Sequence, residues 1–278
     1  MSILKSIKAK KSLGQNFLID KNISKKIVAL LHTEFDELVL EIGPGTGALT
    51  NFLLEKPIHL YAVECDERAV ESLSNQFPKA KFPNFNLIHQ DILKFDLEQL
   101  FLEKKKKIKV IGNIPYFLSS GILFYLYANS TFIEKAVIML QKEFAERLLA
   151  VPRTKEYGII TVANELVAEA SFCFNVSNNC FYPKPKVSST IIEINFFENP
   201  PATQNFNDVL KIVKLAFNQR RKTLKNSLSS VLKDNPFSTL NYEKLQKFLT
   251  KRPEELRKDE FIELASLIYH KENDDKQI

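Results

Sequence analysis

Leu38-Val39-Leu40-Glu41-Ile42-Gly43-Pro44-Gly45-Thr46-Gly47 decides how this chain is read. The opening run is apolar except for Glu41, as a parallel strand buried on both faces requires. It ends at glycines on alternate positions, which let the backbone turn sharply and lie close to a ligand. A helix is expected over Thr46 to Glu55, with its N-terminal N–H groups offered to an anionic group. A second run, Leu60-Tyr61-Ala62-Val63, ends at Glu64, 21 residues after Gly43. In doubly wound folds an acid at that place accepts hydrogen bonds from ribose hydroxyls.

On these residues alone a nicotinamide dinucleotide enzyme fits nearly as well as a methyltransferase, and a tight turn with no ligand is the plainest reading. The spacing leans one way: the dinucleotide fingerprint is G-x-G-x-x-G, whereas this loop is G-x-G-x-G with Glu41 in front.

Outward from the loop the strand and helix signals alternate. Asn22 to His32 has helical spacing, with Asp20 or Asn22 as cap. A helix near Glu67 to Asn75 follows the second strand. Leu87-Ile88, Val110-Ile111 and Ala136 to Leu140 suit further strands, with Gly121 to Tyr127 as a helix between the last two. Phe172 to Val176 and Val187 to Phe196 read as a closing hairpin-like pair. The rhythm predicts an α/β fold, a doubly wound, mostly parallel sheet with an antiparallel hairpin at one edge. Composition shifts at Pro200-Pro201, and helical period follows in Asp208 to Phe217, Leu224 to Leu232, Tyr242 to Leu249 and Glu260 to His270. Two domains are expected, 1–197 and a small all-α domain, 198–278.

Bulk composition narrows the class. The 278 residues are 45% hydrophobic and 26% charged, as in a globular protein. No apolar run approaches the ~20 residues that span a bilayer, and no signal core follows the lysines of the first eleven residues. The expectations are a cytoplasmic location, no membrane and a monomer. Cys65, Cys173 and Cys180 match no zinc or disulfide pattern, so no metal is expected and the thiols read as buried or idle. The net charge of +6 suits a polyanionic partner without identifying one. Lys104 to Lys107 reads as a solvated loop.

Gly112-Asn113-Ile114-Pro115-Tyr116 follows the fourth strand, at the carboxyl end of the sheet. An adenine amine is a poor nucleophile because its lone pair is delocalised into the ring. Acceptors aimed at its N–H groups favour the tetrahedral form, whose lone pair can attack a sulfonium methyl. The Asn113 side-chain oxygen and the Ile114 carbonyl can supply two such acceptors, and Tyr116 can stack on the base. Asp91, after the third strand, can accept from an adenine amine. Singly, each has a plain reading as a turn or cap residue.

Taken in order, these segments resemble the ribosomal RNA adenine dimethyltransferases, in their bacterial KsgA branch. The resemblance runs through Leu13 to Leu18, Glu41 to Gly47, Val63-Glu64, Gln90-Asp91 and Gly112 to Tyr116. It continues through Gln141 to Glu143, Phe181 to Val187, and Phe217 to Thr223. It implies a Rossmann-like fold with S-adenosylmethionine as methyl donor, bound by Asn16, Leu18, Gly43, Glu64, Asp91 and Asn113. It implies catalytic roles for Asn113, Ile114 and Tyr116, and for Phe181 beside the target base. Where bacterial members commonly carry a middle proline in that last motif, this chain has Lys184. The implied substrate is small-subunit ribosomal RNA within a pre-ribosomal particle, dimethylated at two adjacent adenosines near its end.

Arg220, Arg221, Lys222 and Lys225 cluster ahead of the apolar face Leu224, Leu228 and Val231. With the resemblance, they are expected to contact RNA, as are Lys5, Lys8, Lys10 and Lys11 in a basic arm. Two other readings stay open: an Erm-type methyltransferase of large-subunit RNA, which shares the glycine loop and Asn-Ile-Pro-Tyr, and a mainly non-enzymatic ribosome assembly factor. The Phe217 to Thr223 segment favours the KsgA branch over Erm.

Overall fold

In the computed structural model, which describes residues 9–10, 14–200, 206–234 and 239–269, the Leu38–Ile42 run is buried along its whole length. It has a parallel strand on each side, which is why it carries Val, Leu and Ile without alternation. The strands are β1 (Phe17–Leu18), β2 (Leu38–Ile42), β3 (His59–Glu64), β4 (Phe85–His89), β5 (Ile108–Asn113), β6 (Ile133–Gln141), β7 (Ala168–Val176), β8 (Phe181–Tyr182) and β9 (Ser189–Phe196).

Seven of them form one sheet in the order β4-β3-β2-β5-β6-β9-β7. Only β9 runs against its neighbours, so the expected antiparallel edge is present. The chain steps outward from β2 through β3 to β4, then returns to place β5 on the other side of β2. The carboxyl ends of β2 and β5 therefore meet at a topological switch point, where open α/β sheets bind ligands.

The first helices are α1 (Lys21–Ala29), α2 (Thr50–Leu53), α3 (Glu67–Gln76), α4 (Leu97–Lys104) and α5 (Ser119–Ala128). Aspartates start three of them. Asp20 accepts from the Asn22 and Ile23 N–H groups, Asp66 from Arg68, and Asp96 from Gln99. Each satisfies backbone donors that a helix start leaves unpaired.

Two expectations shrink here. The helix over Thr46 to Glu55 is only Thr50–Leu53, because Gly43, Gly45 and Gly47 all take positive φ and the turn runs on to Leu49. The solvated loop at Lys104 to Lys107 begins as the last residue of α4, and Lys106 pairs with Asp36. The helix α4 and the small β1–β8 pair had no clear periodic signal.

The chain divides into two compact units, Met1–Ala145 with Ala168–Glu198, and Glu146–Val167 with Asn199–Ile278. The second differs from the expected 198–278 by gaining a segment from the middle of the chain. Its helices are α6 (Lys142–Leu148), which begins in the first unit, α7 (Ile159–Glu165), α8 (Phe206–Asn218), α9 (Leu224–Ser227), α10 (Ser229–Asp234), α11 (Thr239–Leu249) and α12 (Lys258–Tyr269). Tyr157 is the reason for the extra segment. It is fully buried, lies edge-on to Phe217, and donates its hydroxyl to the Leu256 carbonyl across 3.0 Å. The helix expected over Leu224 to Leu232 breaks at Leu228, though Leu224, Leu228 and Val231 are all buried as predicted.

Candidate active site

A cleft of about 970 Å³, measured out to its open mouth, lies over the switch point. It is lined by Asn16, Leu18, Gly43, Glu64, Asp91, Asn113, Ile114 and Tyr116 together. Residues spread over a hundred positions of sequence are thus brought to one place by the parallel sheet.

The three glycines of the loop spend their N–H groups on the protein. The Gly43 N–H donates to the Val63 carbonyl (2.9 Å), that of Gly45 to Glu64 Oε2 (3.0 Å), and that of Gly47 to the Pro44 carbonyl (2.9 Å). Glu64 also takes the Asp66 N–H on Oε1 at 2.9 Å, so each oxygen is aimed by the backbone and keeps a lone pair for a further donor. Glu41 lies beneath the loop, 1% exposed, and accepts the Thr50 hydroxyl at 2.7 Å. Burial pushes its carboxyl up to about 8, against the lowering effect of that hydrogen bond. Asp91 is exposed and spends Oδ1 on the Leu93 N–H at 3.0 Å, so it is both a cap and a cleft residue.

The described residues lining the cleft include Glu41, Glu64 and Asp91 but no lysine or arginine. A diphosphate would find neither cations nor unpaired glycine N–H groups there. Glu64 and Asp91 give the cleft a negative field that suits a cationic ligand, while Glu41, raised to about 8 by burial, adds little charge at neutral pH.

The cleft's N-terminal wall is tied at two points. Gln15 Nε2 donates to Asp66 Oδ2 at 2.8 Å, and Asn113 Nδ2 donates to the Asn16 carbonyl at 3.1 Å. Asp66 is a fixed anchor: the Arg68 guanidinium, and then Gln15, hold its carboxyl down at about 2. Asn113 Nδ2 spends one of its two N–H groups on Asn16, and Oδ1 is left to accept from a ligand.

Tyr116 shares its hydroxyl with Ser189 Oγ at 2.6 Å, and burial raises its phenol above the usual range. Ser189 is completely buried at the start of β9. Ser189 and Asp66 went unnoticed in the sequence, and Gln15 stood only within the Leu13 to Leu18 motif, because their partners lie 73 or 51 positions away. Cys65, read with the other thiols as buried or idle, is exposed and lines the cleft. The three cysteines are free, and no group of acids, histidines and cysteines among the described residues could hold a metal ion.

Two expected placements differ. Phe181 does not line the cleft: it is 3% exposed, in the hydrophobic core, paired across β1–β8 with Leu18. Leu18 forms the wall and Phe181 backs it. Arg220 does not offer its charge outward: its guanidinium donates to the Lys155 and Thr154 carbonyls at 2.5 and 2.7 Å. Arg221, Lys222 and Lys225 are exposed. Of the basic arm, Lys5, Lys8 and Lys11 lie outside the described residues, as does Leu13 of the first motif.

Comparison with known proteins agrees with this geometry. Residues 6–268 match the family model described as ribosomal RNA adenine dimethylase. The ribosomal RNA small subunit methyltransferase A of Francisella tularensis subsp. novicida is 40% identical over 263 residues, 94% of this chain and 98% of that protein. A dimethyladenosine transferase from Plasmodium falciparum superimposes with a TM-score of 0.77 at 27% identity, covering 89% of this chain and 95% of its own. The 23S rRNA methyltransferase ErmE gives a TM-score of 0.65 at 25% identity, covering 91% and 99%.

Proposed function

The chain belongs to the ribosomal RNA adenine dimethylase family, and from that premise we propose how its cleft works. It is a methyltransferase that dimethylates the exocyclic amines of two adjacent adenosines near the 3' end of small-subunit ribosomal RNA. S-adenosylmethionine supplies an electrophilic methyl on a sulfonium centre.

One observation carries this reading over a dinucleotide enzyme: Glu64 and Asp91 face the cleft with no lysine or arginine among its described lining residues. That suits a positively charged donor. Glu64 holds the ribose hydroxyls, Asp91 accepts from the adenine amine, and Asn16, Leu18 and Gly43 form the walls. Asn113 Oδ1 and the Ile114 carbonyl accept hydrogen bonds from the two N–H groups of the target amine and so turn its lone pair out of conjugation. Tyr116 stacks on the target base and is held in place by Ser189. Positioning of the reactants provides most of the acceleration.

Phe181 acts through Leu18 from behind, and Arg221, Lys222 and Lys225 meet the RNA backbone while Arg220 braces its own unit. The two units correspond to a catalytic and an RNA-contacting part. The substrate is a pre-ribosomal particle, met by a monomer in the cytoplasm. Among the described residues no helix is long and apolar enough to cross a membrane.

The test is tritiated methyl transfer from S-adenosylmethionine to small ribosomal subunits lacking the modification, with large subunits in parallel. Dimethyladenosine in the small subunit alone is expected. Label confined to the large subunit would move the assignment to an Erm-type activity. Absence of label in both would favour a non-enzymatic assembly role.

A further inference from the structure

Phe117 sits between two residues that line the cleft, yet its own side chain points elsewhere. Tyr116 to Leu118 form a single 3-10 turn, in which successive side chains diverge by about 120°. Tyr116 and Leu118 face the cleft, and Phe117 does not. It is 62% exposed.

The ring is seated as well as exposed. It rests against Gly14, where a Cβ would lie 3.0 Å from both Cδ1 and Cε1. Gly14 also has φ +59, a backbone that favours glycine, and any side chain there would press on the ring. The result is an aromatic surface held at the rim of the methyl-transfer site.

We propose that Phe117 stacks on the base of the nucleotide next to the one being methylated. This deepens the proposed function and rests on it. A base must leave its stack to reach an enclosed reacting centre, and its neighbour is then left with an uncovered face at the cleft mouth. An exposed aromatic ring covers such a face without regard to base identity.

The experiment compares Phe117→Ala, Phe117→Leu and Phe117→Trp with the wild type in initial-rate methylation of unmodified small subunits, alongside S-adenosylmethionine affinity by calorimetry. The alanine and leucine variants should raise the KM for RNA about tenfold, with kcat and cofactor affinity unchanged. The tryptophan variant should restore the wild-type KM. Unchanged KM in Phe117→Ala would overturn the proposal. A fall in cofactor affinity that matches the activity loss would also overturn it, making Phe117 a clamp on Gly14 instead. If the wild type itself leaves small subunits unlabelled, the functional reading fails, and that outcome is distinct from either variant result.

Discussion

Asn113 Nδ2 donates to the main-chain carbonyl of Asn16 across 3.1 Å, joining segments 97 residues apart. The bond orients the amide, so that the donor end faces protein and the oxygen end is left for substrate. Asn113→Asp replaces the donor with a second oxygen facing the Asn16 carbonyl. Methyl transfer should fall at least ~100-fold in kcat, as when a transition-state hydrogen-bonding group is lost. Cofactor affinity should weaken too, because the Asn16 wall loses its tie. Single-turnover rates and calorimetry separate the two effects, and a variant with wild-type kcat would remove Asn113 from the chemistry.

Ser189 and Tyr116 should behave as one unit. Ser189→Ala and Tyr116→Phe each delete the same buried hydrogen bond, and each should lower kcat roughly five- to tenfold with little change in cofactor affinity. The double variant should be no worse than either single one, because the interaction can be lost only once. Additive losses would mean that the two side chains act separately.

Glu41 makes stability depend on pH in an identifiable direction. Burial raises its folded-state value to about 8 from the ordinary 4.5, so the folded protein holds a proton that the unfolded chain releases in between. Its contribution is therefore greatest below about 4.5 and is lost as pH rises toward 8. Glu41→Gln keeps an acceptor for the Thr50 hydroxyl and cannot ionise. Thermal unfolding without ligand should show the variant gaining on the wild type between pH 5 and 8. A constant difference across that range would mean that Glu41 is ionised throughout.

The basic segment should divide by what each cation touches. Changing Arg221, Lys222 and Lys225 together to glutamine should weaken RNA binding and make the salt dependence shallower by about 2–3 in log–log slope. Arg220→Ala should leave that slope alone and destabilise the fold by about 1–3 kcal/mol, through loss of its bonds to the Thr154 and Lys155 carbonyls. A change of salt slope in Arg220→Ala would return it to the RNA surface.

Much of the sheet was legible because its signals are local. β2 matches the predicted Leu38–Ile42, and Asp20 caps α1 as its composition suggested. The six cofactor residues named by family resemblance all reach one cleft. Legibility failed where the information is not local. Phe181 looked like a base-stacking residue because of its motif, but pairing with Leu18 turns it into the core. Arg220 looked like an RNA contact because of its charged neighbours, but carbonyls 65 and 66 positions earlier occupy it. Ser189 carried no signal at all.

The sequence by itself determined the alternation of strands and helices, the sharp glycine turn after β2, and the chemistry available at Glu64, Asp91 and Asn113. These follow from side-chain type, short-range spacing and motif order. Only the tertiary structure decided which atoms of those residues remain for a ligand, which aromatic faces outward, and which segment completes the helical unit. Each of those outcomes depends on pairing between distant segments, where a hydrogen bond or a buried ring is settled by what the fold brings alongside.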